Sequence, residues 1–236
     1  MAIPNAPTIT VSPSTTLNRV AINIFDGGGA ATKFFVERSV NLGAFQQIFA
    51  NVINTVANPD TVYDYTAPRG VGLRYRARAN NLDGTSGYSP IVATTLASDG
   101  QAWIKSVFSP GLSAVVCLDT HELESVSTED QAQYRVTDRA EPVIIAGFVR
   151  TEQFDSIPLF FQTKADFTNF EAIRATQRVV LLQTCYGEGP FDQYYLRFAD
   201  RKVERLTNTV AQNIGKQLYR VDIAAREVKA PISQDA

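Results

Sequence analysis

Apolar and polar residues alternate with a period of two through much of the first half of the chain. The clearest run places apolar side chains at Val71, Leu73, Tyr75, Ala77 and Ala79. Because successive side chains of a strand point to opposite faces, this run predicts a strand with an apolar face and a basic face of Arg74, Arg76 and Arg78. A shorter run of the same kind spans residues 20–24, and Gly, Asn and Asp residues separate the runs. Short strands joined by such turns predict a β-sandwich.

A change of pattern near residue 98 predicts a domain boundary. Ser98, Asp99 and Gly100 interrupt two apolar runs there, as a linker between domains would. We therefore divide the chain into a first domain of residues 1–98 and a second domain of residues 99–236.

The second domain combines strands with one helix. Segments rich in Val, Ile, Leu, Phe and Tyr predict strands at residues 142–151, 157–164, 178–184, 193–198 and 217–225. Phe167, Phe170 and Ile173 recur at helical spacing, which predicts a helix over residues 166–176 with Asp166 as its N-cap. The near-continuous apolar run at 178–184 predicts a strand covered by the helix on one face and by the sheet on the other.

Residues 41–60 are unusually apolar for an exposed loop. Their large apolar side chains are Phe45, Ile48, Phe49, Val52 and Ile53. This spacing fits either a short amphipathic helix or an irregular sheet edge, and we favour the edge.

Composition disfavours most enzyme chemistry. The chain has one histidine, His121, and two cysteines, Cys117 and Cys185. Cys117, Asp119 and His121 would share one side of a strand, but they form a poor zinc set. A nucleophilic Cys–His pair or a disulfide between the cysteines stays open, although buried inert thiols are the default. We predict that the protein is not an enzyme, and we assign no catalytic residue, cofactor or metal.

Net charge and hydropathy limit the partners. A net charge of −2 lacks the basic character of proteins that bind phosphate backbones, so we expect no nucleic acid partner. No apolar stretch approaches the roughly 20 residues of a spanning helix, and the first residues do not resemble a signal peptide. We expect a protein that is synthesised in a cytoplasm and is not inserted into a membrane.

The glycines at 27–29 predict a turn. A phosphate-binding loop would need a helix behind the glycines and a Lys-Ser/Thr pair within the loop, and neither is visible. We interpret the three glycines as a hairpin loop.

Charged residues of the second domain form two clusters of opposite sign. Residues 119–130 are acidic, and their paired carboxylates are adjacent in one segment, which is typical of a solvated loop or an interface and not of a glycosidase cleft. Basic residues cluster at Arg197, Arg201, Lys202 and Arg205. Complementary patches on one subunit suit a repeated head-to-tail contact, so we expect the clusters to meet between neighbouring copies in a ring. The stripe of Arg74, Arg76 and Arg78 is either a solvated face or a second partner surface.

Two segments of the first domain resemble fibronectin type III domains. The run Asp26-Gly27-Gly28-Gly29 with residues 33–39 is similar to the passage from the second to the third strand. The sixth strand, the loop and the last strand are matched by residues 72–81 with Gly84, Ser86, Tyr88 and Ser89.

This resemblance covers roughly residues 4–97. It implies that the hydroxyl of Tyr75 bonds to the backbone in a tyrosine corner, and it places Phe25 near the family's core tryptophan.

The second domain resembles the minor tail proteins of long-tailed bacteriophages. Trp103, residues 139–149, residues 166–182 and residues 194–198 follow the order of elements in that family. The resemblance implies a small β-barrel with one helix, arranged in rings at the distal end of the tail, often with fibronectin-type domains appended. The expected fold class is mainly β: a fibronectin type III-like β-sandwich followed by a β-barrel-like domain with one α-helix.

The resemblance implies a structural component of the virion tail, such as a minor or distal tail protein or a baseplate protein. Its partners would be further copies of itself and other phage tail proteins. The alternative is an adhesion module at the tail tip that binds a cell-surface glycan or protein. In that module Tyr88 would stack on a sugar, and Asn80, Asn81 and Asp83 would hydrogen-bond to it.

Replacing Arg201 and Arg205 by glutamate is expected to weaken self-assembly, because it turns the attraction between the basic cluster and a neighbour's acidic segment into repulsion. Light scattering of the purified chain measures the oligomeric mass. An unchanged mass would contradict the predicted contact.

Overall fold

The structure, a computed structural model, describes nine stretches of the chain. They are residues 2–28, 30–54, 59–107, 111–118, 125–134, 143–176, 179–184, 193–206 and 218–228. Side chains are described in the same stretches except for residues 125–134, 143–153, 176, 199–206 and 218. The predicted fold class is confirmed: the chain is mainly β, with antiparallel sheets, a closed barrel and a single helix among the described residues.

Two antiparallel sheets form the sandwich. The first has the order β1-β2-β5 and consists of β1 (Thr8–Ser14), β2 (Arg19–Phe25) and β5 (Asp60–Asp64). The second has the order β4-β3-β6-β7, with β8 also paired to β6. Its strands are β3 (Lys33–Val40), β4 (Gln46–Ile53), β6 (Gly72–Asn81), β7 (Gly84–Thr85) and β8 (Val92–Thr95).

Alternation along the strands fills the core between these sheets. In β6 the predicted apolar face is buried, and Leu73, Tyr75, Ala77 and Ala79 are each 0% exposed. Ile22 and Ile24 of β2 are also fully buried, whereas Phe25 is half-buried on the opposite face. The expectation that Phe25 occupies the core tryptophan position is therefore wrong, because the register of β2 directs isoleucines inward.

The apolar segment at 41–60 contains an edge strand. β4 pairs only with β3 among the described strands, and its register shifts around Val36. These irregularities let the neighbouring residues Ile48 and Phe49 both be buried. The edge interpretation is confirmed, and the helical alternative is wrong.

The glycines after β2 connect the two sheets, so the expected hairpin is wrong. β2 belongs to the first sheet and β3 to the second. A Cβ atom on Gly27 would lie 2.6 Å from the carbonyl oxygen of Ala6, so this crossing requires a residue without a side chain. Gly29 lies outside the described residues.

Six strands close into the barrel that follows. Its order is β10-β9-β13-β14-β15-β12, and β10 also pairs with β12. The strands are β9 (Ala102–Ser106), β10 (Ser113–Leu118), β12 (Val143–Phe161), β13 (Val180–Gln183), β14 (Gln193–Leu206) and β15 (Leu218–Glu227). As predicted, Tyr219, Val221 and Ile223 of β15 are buried. The helix α1 (Lys164–Thr176) packs Phe170 and Ile173 into the same core, and the Phe170 ring centre lies 4.9 Å from that of Phe161.

One long strand replaces two predicted segments. Residues 142–151 and 157–164 were expected as separate strands, but β12 is continuous over 19 residues. Its residues 143–152 pair only with β11 (Ser125–Tyr134) among the described strands, because pairing with β15 begins at Gln153. We call residues 127–134 and 143–152 the arm. At about 3.3 Å per residue, the arm extends about 33 Å beyond the shared sheet.

The acidic segment is only partly a loop. Glu129 and Asp130 lie in β11 at a register shift, so the loop interpretation is wrong for these two residues. Residues 119–124 lie outside the described residues.

Helix α1 confirms the predicted helix but not its N-cap. The helix begins at Lys164, and Thr163 precedes it. The Asp166 amide donates to the Thr163 hydroxyl oxygen over 3.0 Å, and the Thr163 hydroxyl donates to Asp166 Oδ2 over 2.5 Å. This reciprocal pair is a capping box. Thr163 is therefore the N-cap, and Asp166 is free to accept a hydrogen bond from the Val115 amide of β10 through Oδ1.

Replacing Thr163 by alanine should lower the free energy of unfolding by about 1 kcal/mol, because the N-cap acceptor is lost. Urea denaturation measures the change. Thr168→Ala is the matched control: Thr168 is exposed within the same helix and its hydroxyl donates to the Lys164 carbonyl, so its effect should stay within about 0.5 kcal/mol. Equal losses in the two variants would contradict the N-cap assignment.

Candidate functional site

The predicted arginine stripe lies on the outer face of β6, where aromatic rings of the same chain cover it. The Arg76 guanidinium carbon lies 4.0 Å from the ring centre of Phe45 and 3.7 Å from that of Tyr88. Arg76 also donates to Glu37 Oε2 from Nε over 2.8 Å and from Nη2 over 2.6 Å. Arg76 is therefore held in place by an ion pair, in which two of its nitrogens donate to one carboxylate oxygen, and by two cation–π contacts.

The positive charges of the two flanking arginines are compensated less completely than that of Arg76. Arg74 donates to the Ser39 hydroxyl over 3.0 Å, and Arg78 lies 5.2 Å from the ring centre of Phe35. Neither forms a salt bridge with a described carboxylate. The stripe is half-buried and keeps a positive excess, and its use as a partner surface stays a prediction.

The second basic cluster lies along one strand. Arg197, Arg201, Lys202 and Arg205 all belong to β14, which has a register shift between Phe198 and Arg201. Arg197 is exposed, and Lys202 stands opposite Asp222 of β15. The side chains of Arg201, Lys202 and Arg205 lie outside the described residues, so the predicted interface is not tested.

The loop that was expected to contact a sugar is held by its own hydrogen bonds. The Asn81 amide donates to the carbonyls of Ala2 and Ala30 over 2.8 and 3.2 Å, and its side-chain oxygen accepts from the amides of Asp83 and Gly84. Asn81 is therefore buried in the turn and does not face a ligand. Tyr88 remains 40% exposed, although its hydroxyl donates to Glu37 over 2.9 Å.

Candidate metal ligands are not gathered in the described part of the chain. Cys117 is a free, half-buried thiol whose Sγ accepts from Gln162 Nε2 over 3.2 Å. Three further residues were considered as metal ligands or as members of a nucleophilic pair, and they lie outside the described residues: Asp119, His121 and Cys185. Among the residues that are described, no group of three or more His, Cys, Asp or Glu residues could hold a metal ion.

A buried carboxylate joins the two sheets of the sandwich. Asp64, at the end of β5, is 0% exposed. Its Oδ2 accepts from Arg38 over 2.7 Å and from the Tyr75 hydroxyl over 2.9 Å, and Oδ1 accepts from the amide and hydroxyl of Thr66. The expected tyrosine corner is therefore altered, because the acceptor of Tyr75 is a carboxylate and not a backbone carbonyl.

Electrostatics follow from this arrangement. Burial disfavours the charged guanidinium of Arg38, but the carboxylate of Asp64, together with Tyr75 and Tyr195, outweighs burial, and the pKa of Arg38 is raised. Burial and the same carboxylate both raise the pKa of Tyr75. Arg38 therefore stays charged and Tyr75 stays a hydrogen-bond donor throughout the neutral range.

Asp64 also fixes the segment that meets the barrel. We call this contact the junction: it joins Asn18, Arg38 and residues 64–69 of the sandwich to residues 99–105, 183–184 and 193 of the barrel. Arg69 donates to Asp99 and to the carbonyl of Gln101, each over 2.7 Å, and to the carbonyl of Thr184. The indole N–H of Trp103 donates to the other oxygen of Asp99 over 3.0 Å.

Lys105 is the buried amine of the junction. It is 1% exposed, and its Nζ donates to the carbonyls of Asn18 and Tyr65 over 2.5 and 2.7 Å. Burial lowers the pKa of Lys105 to about 7, and the nearby Arg69 acts in the same direction. The carboxylates of Asp64 and Asp99 oppose this shift without cancelling it.

Neutral amides complete the junction. Asn18, with a positive φ of 45°, donates to Gln183 Oε1 over 2.9 Å, and Gln183 Nε2 donates to the Ala67 carbonyl over 3.2 Å. Gln193 Nε2 donates to the Thr66 carbonyl over the same distance. β13 is buried on both faces as predicted. Val180 and Leu182 share the barrel core with Phe170 and Ile173 of α1, whereas Gln183 on the opposite face is bonded to the sandwich.

Sequence reasoning did not identify the junction. One signal was available: Trp103 and Lys105 share a face of β9, opposite to the barrel-facing residues Ala102 and Ile104. Lys105 follows three apolar residues, 102–104, and a lysine in such a strand indicates an internal acceptor, because lysine is rarely buried unless its charge is compensated. The acceptors themselves are distant backbone carbonyls, which no side-chain motif encodes.

Comparisons with known proteins give no match. No protein-family model matches this chain, and no curated protein matches it. Within the described stretches, no helix has the length and apolar character required to cross a bilayer.

Replacing Asp64 by asparagine should lower the free energy of unfolding by about 3 kcal/mol, because Arg38 is left as an uncompensated buried cation. Guanidinium denaturation followed by circular dichroism measures the loss. Asp83→Asn removes the same charge at an exposed turn and should change stability by no more than about 0.5 kcal/mol. If both variants unfold like the wild type, Asp64 does not have the assigned role.

Proposed function

We propose that this chain is a structural component of a bacteriophage tail, a minor or distal tail protein or a baseplate protein, that works through repeated protein–protein interfaces. The fold supports this proposal, since a fibronectin type III-like sandwich precedes a closed six-stranded barrel with one helix. Further copies of the chain and other tail proteins are the proposed partners, and the assembled virion tail is the proposed location.

The arm carries the proposal. Residues 143–152 pair with β11 alone among the described strands, so the arm is a two-stranded ribbon at the end of the seven-stranded sheet. Such ribbons are marginally stable in water and leave unpaired backbone donors and acceptors along their edges. A neighbouring subunit that adds a strand or covers these edges would satisfy them.

Geometry favours a head-to-tail contact. A contact between the arm of one copy and β14 of the next copy would join two different surfaces of the subunit. Contacts of this heterologous kind close into rings when the rotation between copies divides a full turn. The basic residues of β14 and the acid pair Glu129 and Asp130 of the arm's strand β11 are the proposed complementary charges.

A rigid subunit suits such assembly. The Arg69, Lys105 and Gln183 bonds fix the sandwich to the outer faces of β9 and β13. Asp64, Arg69 and Lys105 are buried and occupied in internal hydrogen bonds, and we propose no catalytic role for them. Adhesion to a cell-surface glycan remains a compatible role for the sandwich, with the partly exposed Tyr88 ring as its contact.

Replacing residues 129–150 by Asn-Gly tests the proposal. Thr128 and Thr151 are paired in the register, so an Asn-Gly turn closes the shortened hairpin without changing the barrel strands. We expect the variant to keep its fold and to remain a monomer at protein concentrations where the wild type forms larger particles. Mass photometry measures the masses, and negative-stain images show the shape of the particles.

Tyr88→Ala is the control, because it alters the proposed glycan contact and leaves the arm intact. This variant should assemble like the wild type. Assembly of the shortened variant into wild-type particles, or a wild-type chain that stays monomeric at every concentration, would overturn the role of the arm.

A further inference from the structure

The charged groups of the junction do not balance when every one of them is ionised. Arg38 pairs with Asp64 and Arg69 pairs with Asp99, each over 2.7 Å. The four side chains are between 1 and 16% exposed, so both pairs are largely removed from water. A charged Lys105 adds a third cation without a third described carboxylate, whereas a neutral Lys105 leaves the junction balanced.

The contacts of Lys105 allow either protonation state. Its two described acceptors are backbone carbonyls, and a neutral amine has two N–H groups with which to donate to them. Backbone carbonyls carry only partial charge, so they replace the hydration of an ammonium group less well than a carboxylate does. The neutral amine therefore keeps both hydrogen bonds without the cost of a buried charge.

Every neighbouring element contributes to this balance. The first residue of β2 is the half-buried Arg19, which donates to the Tyr65 hydroxyl over 2.8 Å. Asp64 at the end of β5, Arg69 in the segment after β5, and Asp99 before β9 are the charged groups that act on Lys105. β13 presents the neutral Gln183, and β14 presents Tyr195, whose pKa is raised by burial.

We propose that Lys105 is a proton-dependent switch: its neutral amine holds the sandwich on the barrel, and its protonation loosens the junction. The switch connects two loops of the sandwich, at Asn18 and Tyr65, to one barrel strand. Uptake of a proton would therefore act on the orientation of the sandwich while both hydrophobic cores stay intact.

The direction of the pH effect follows from linkage. The folded-state pKa of about 7 lies below the ordinary value of 10.5, so between these values the unfolded chain binds more protons than the folded chain. Stability therefore rises as the pH increases through this range. Below about pH 7 the folded junction contains the ammonium form, and the full destabilisation by its buried charge is present.

Trp103 is the reporter for the test. It is the only tryptophan of the chain, it is 7% exposed, and it lies two residues before Lys105 on the same face of β9. We expect its emission to shift to longer wavelength, and its quenching by acrylamide to increase, as the pH of the full-length protein falls from about 9 to about 5. The midpoint should lie near pH 7.

Three variants assign the transition. Lys105→Met should remove it and keep the high-pH emission, and Lys105→Arg, which stays charged, should give the low-pH emission throughout. His121→Gln should leave the midpoint unchanged, since histidine is the other side chain that titrates near neutral pH. Wild-type emission that does not change with pH, or a transition that persists in Lys105→Met or disappears in His121→Gln, would overturn the proposal.

A measurement on the unaltered chain keeps the test decisive if a Lys105 variant does not fold. Nuclear magnetic resonance of protein with isotopically labelled lysine follows the titration of each side-chain amine. One amine that titrates near pH 7 together with the Trp103 transition supports the switch. If all lysine amines titrate near 10, the switch does not exist.

Discussion

The structure depends on the neutralisation of one buried carboxylate. Asp64 ends a strand of the first sheet, and its partners Arg38 and Tyr75 belong to the second, so a single group ties both sheets together where water is excluded. The same carboxylate accepts from Thr66 and thereby sets the course of the segment that meets the barrel. The internal order of the sandwich and its attachment to the barrel therefore have a common origin.

Polar contacts define the attachment more sharply than apolar contacts would. Arg69 and Lys105 donate hydrogen bonds to specific backbone carbonyls, and these bonds break if one surface shifts by a single residue relative to the other. A contact between apolar side chains tolerates such small displacements. The cost is that charged groups must be desolvated. The carboxylate of Asp99 compensates the charge of Arg69, whereas the lowered pKa of Lys105 favours its neutral amine.

The local pattern of residues predicted the secondary-structure elements, whereas contacts between distant residues determined the features that this pattern did not predict. The alternation around Tyr75 predicted β6 and its buried face correctly, because alternating apolar and polar residues are typical of a strand with one buried face. Asp166 was misread as a cap because Thr163 and Asp166 bond to each other and composition does not reveal their order. The junction was out of reach, since Asn18 and Gln183 are 165 positions apart. Interfaces with other subunits also bring together residues that are not neighbours in the sequence, so a local pattern does not predict them.

The continuity of β12 has a mechanical consequence. A single backbone runs from the arm through the register shift between Phe154 and Ile157 into the barrel wall, and it ends at Phe161 against helix α1. Tension applied to the tip is therefore carried by covalent bonds and ladder hydrogen bonds in shear, and not by a flexible hinge. Whatever grips the far end of this ribbon pulls directly on the wall of the barrel.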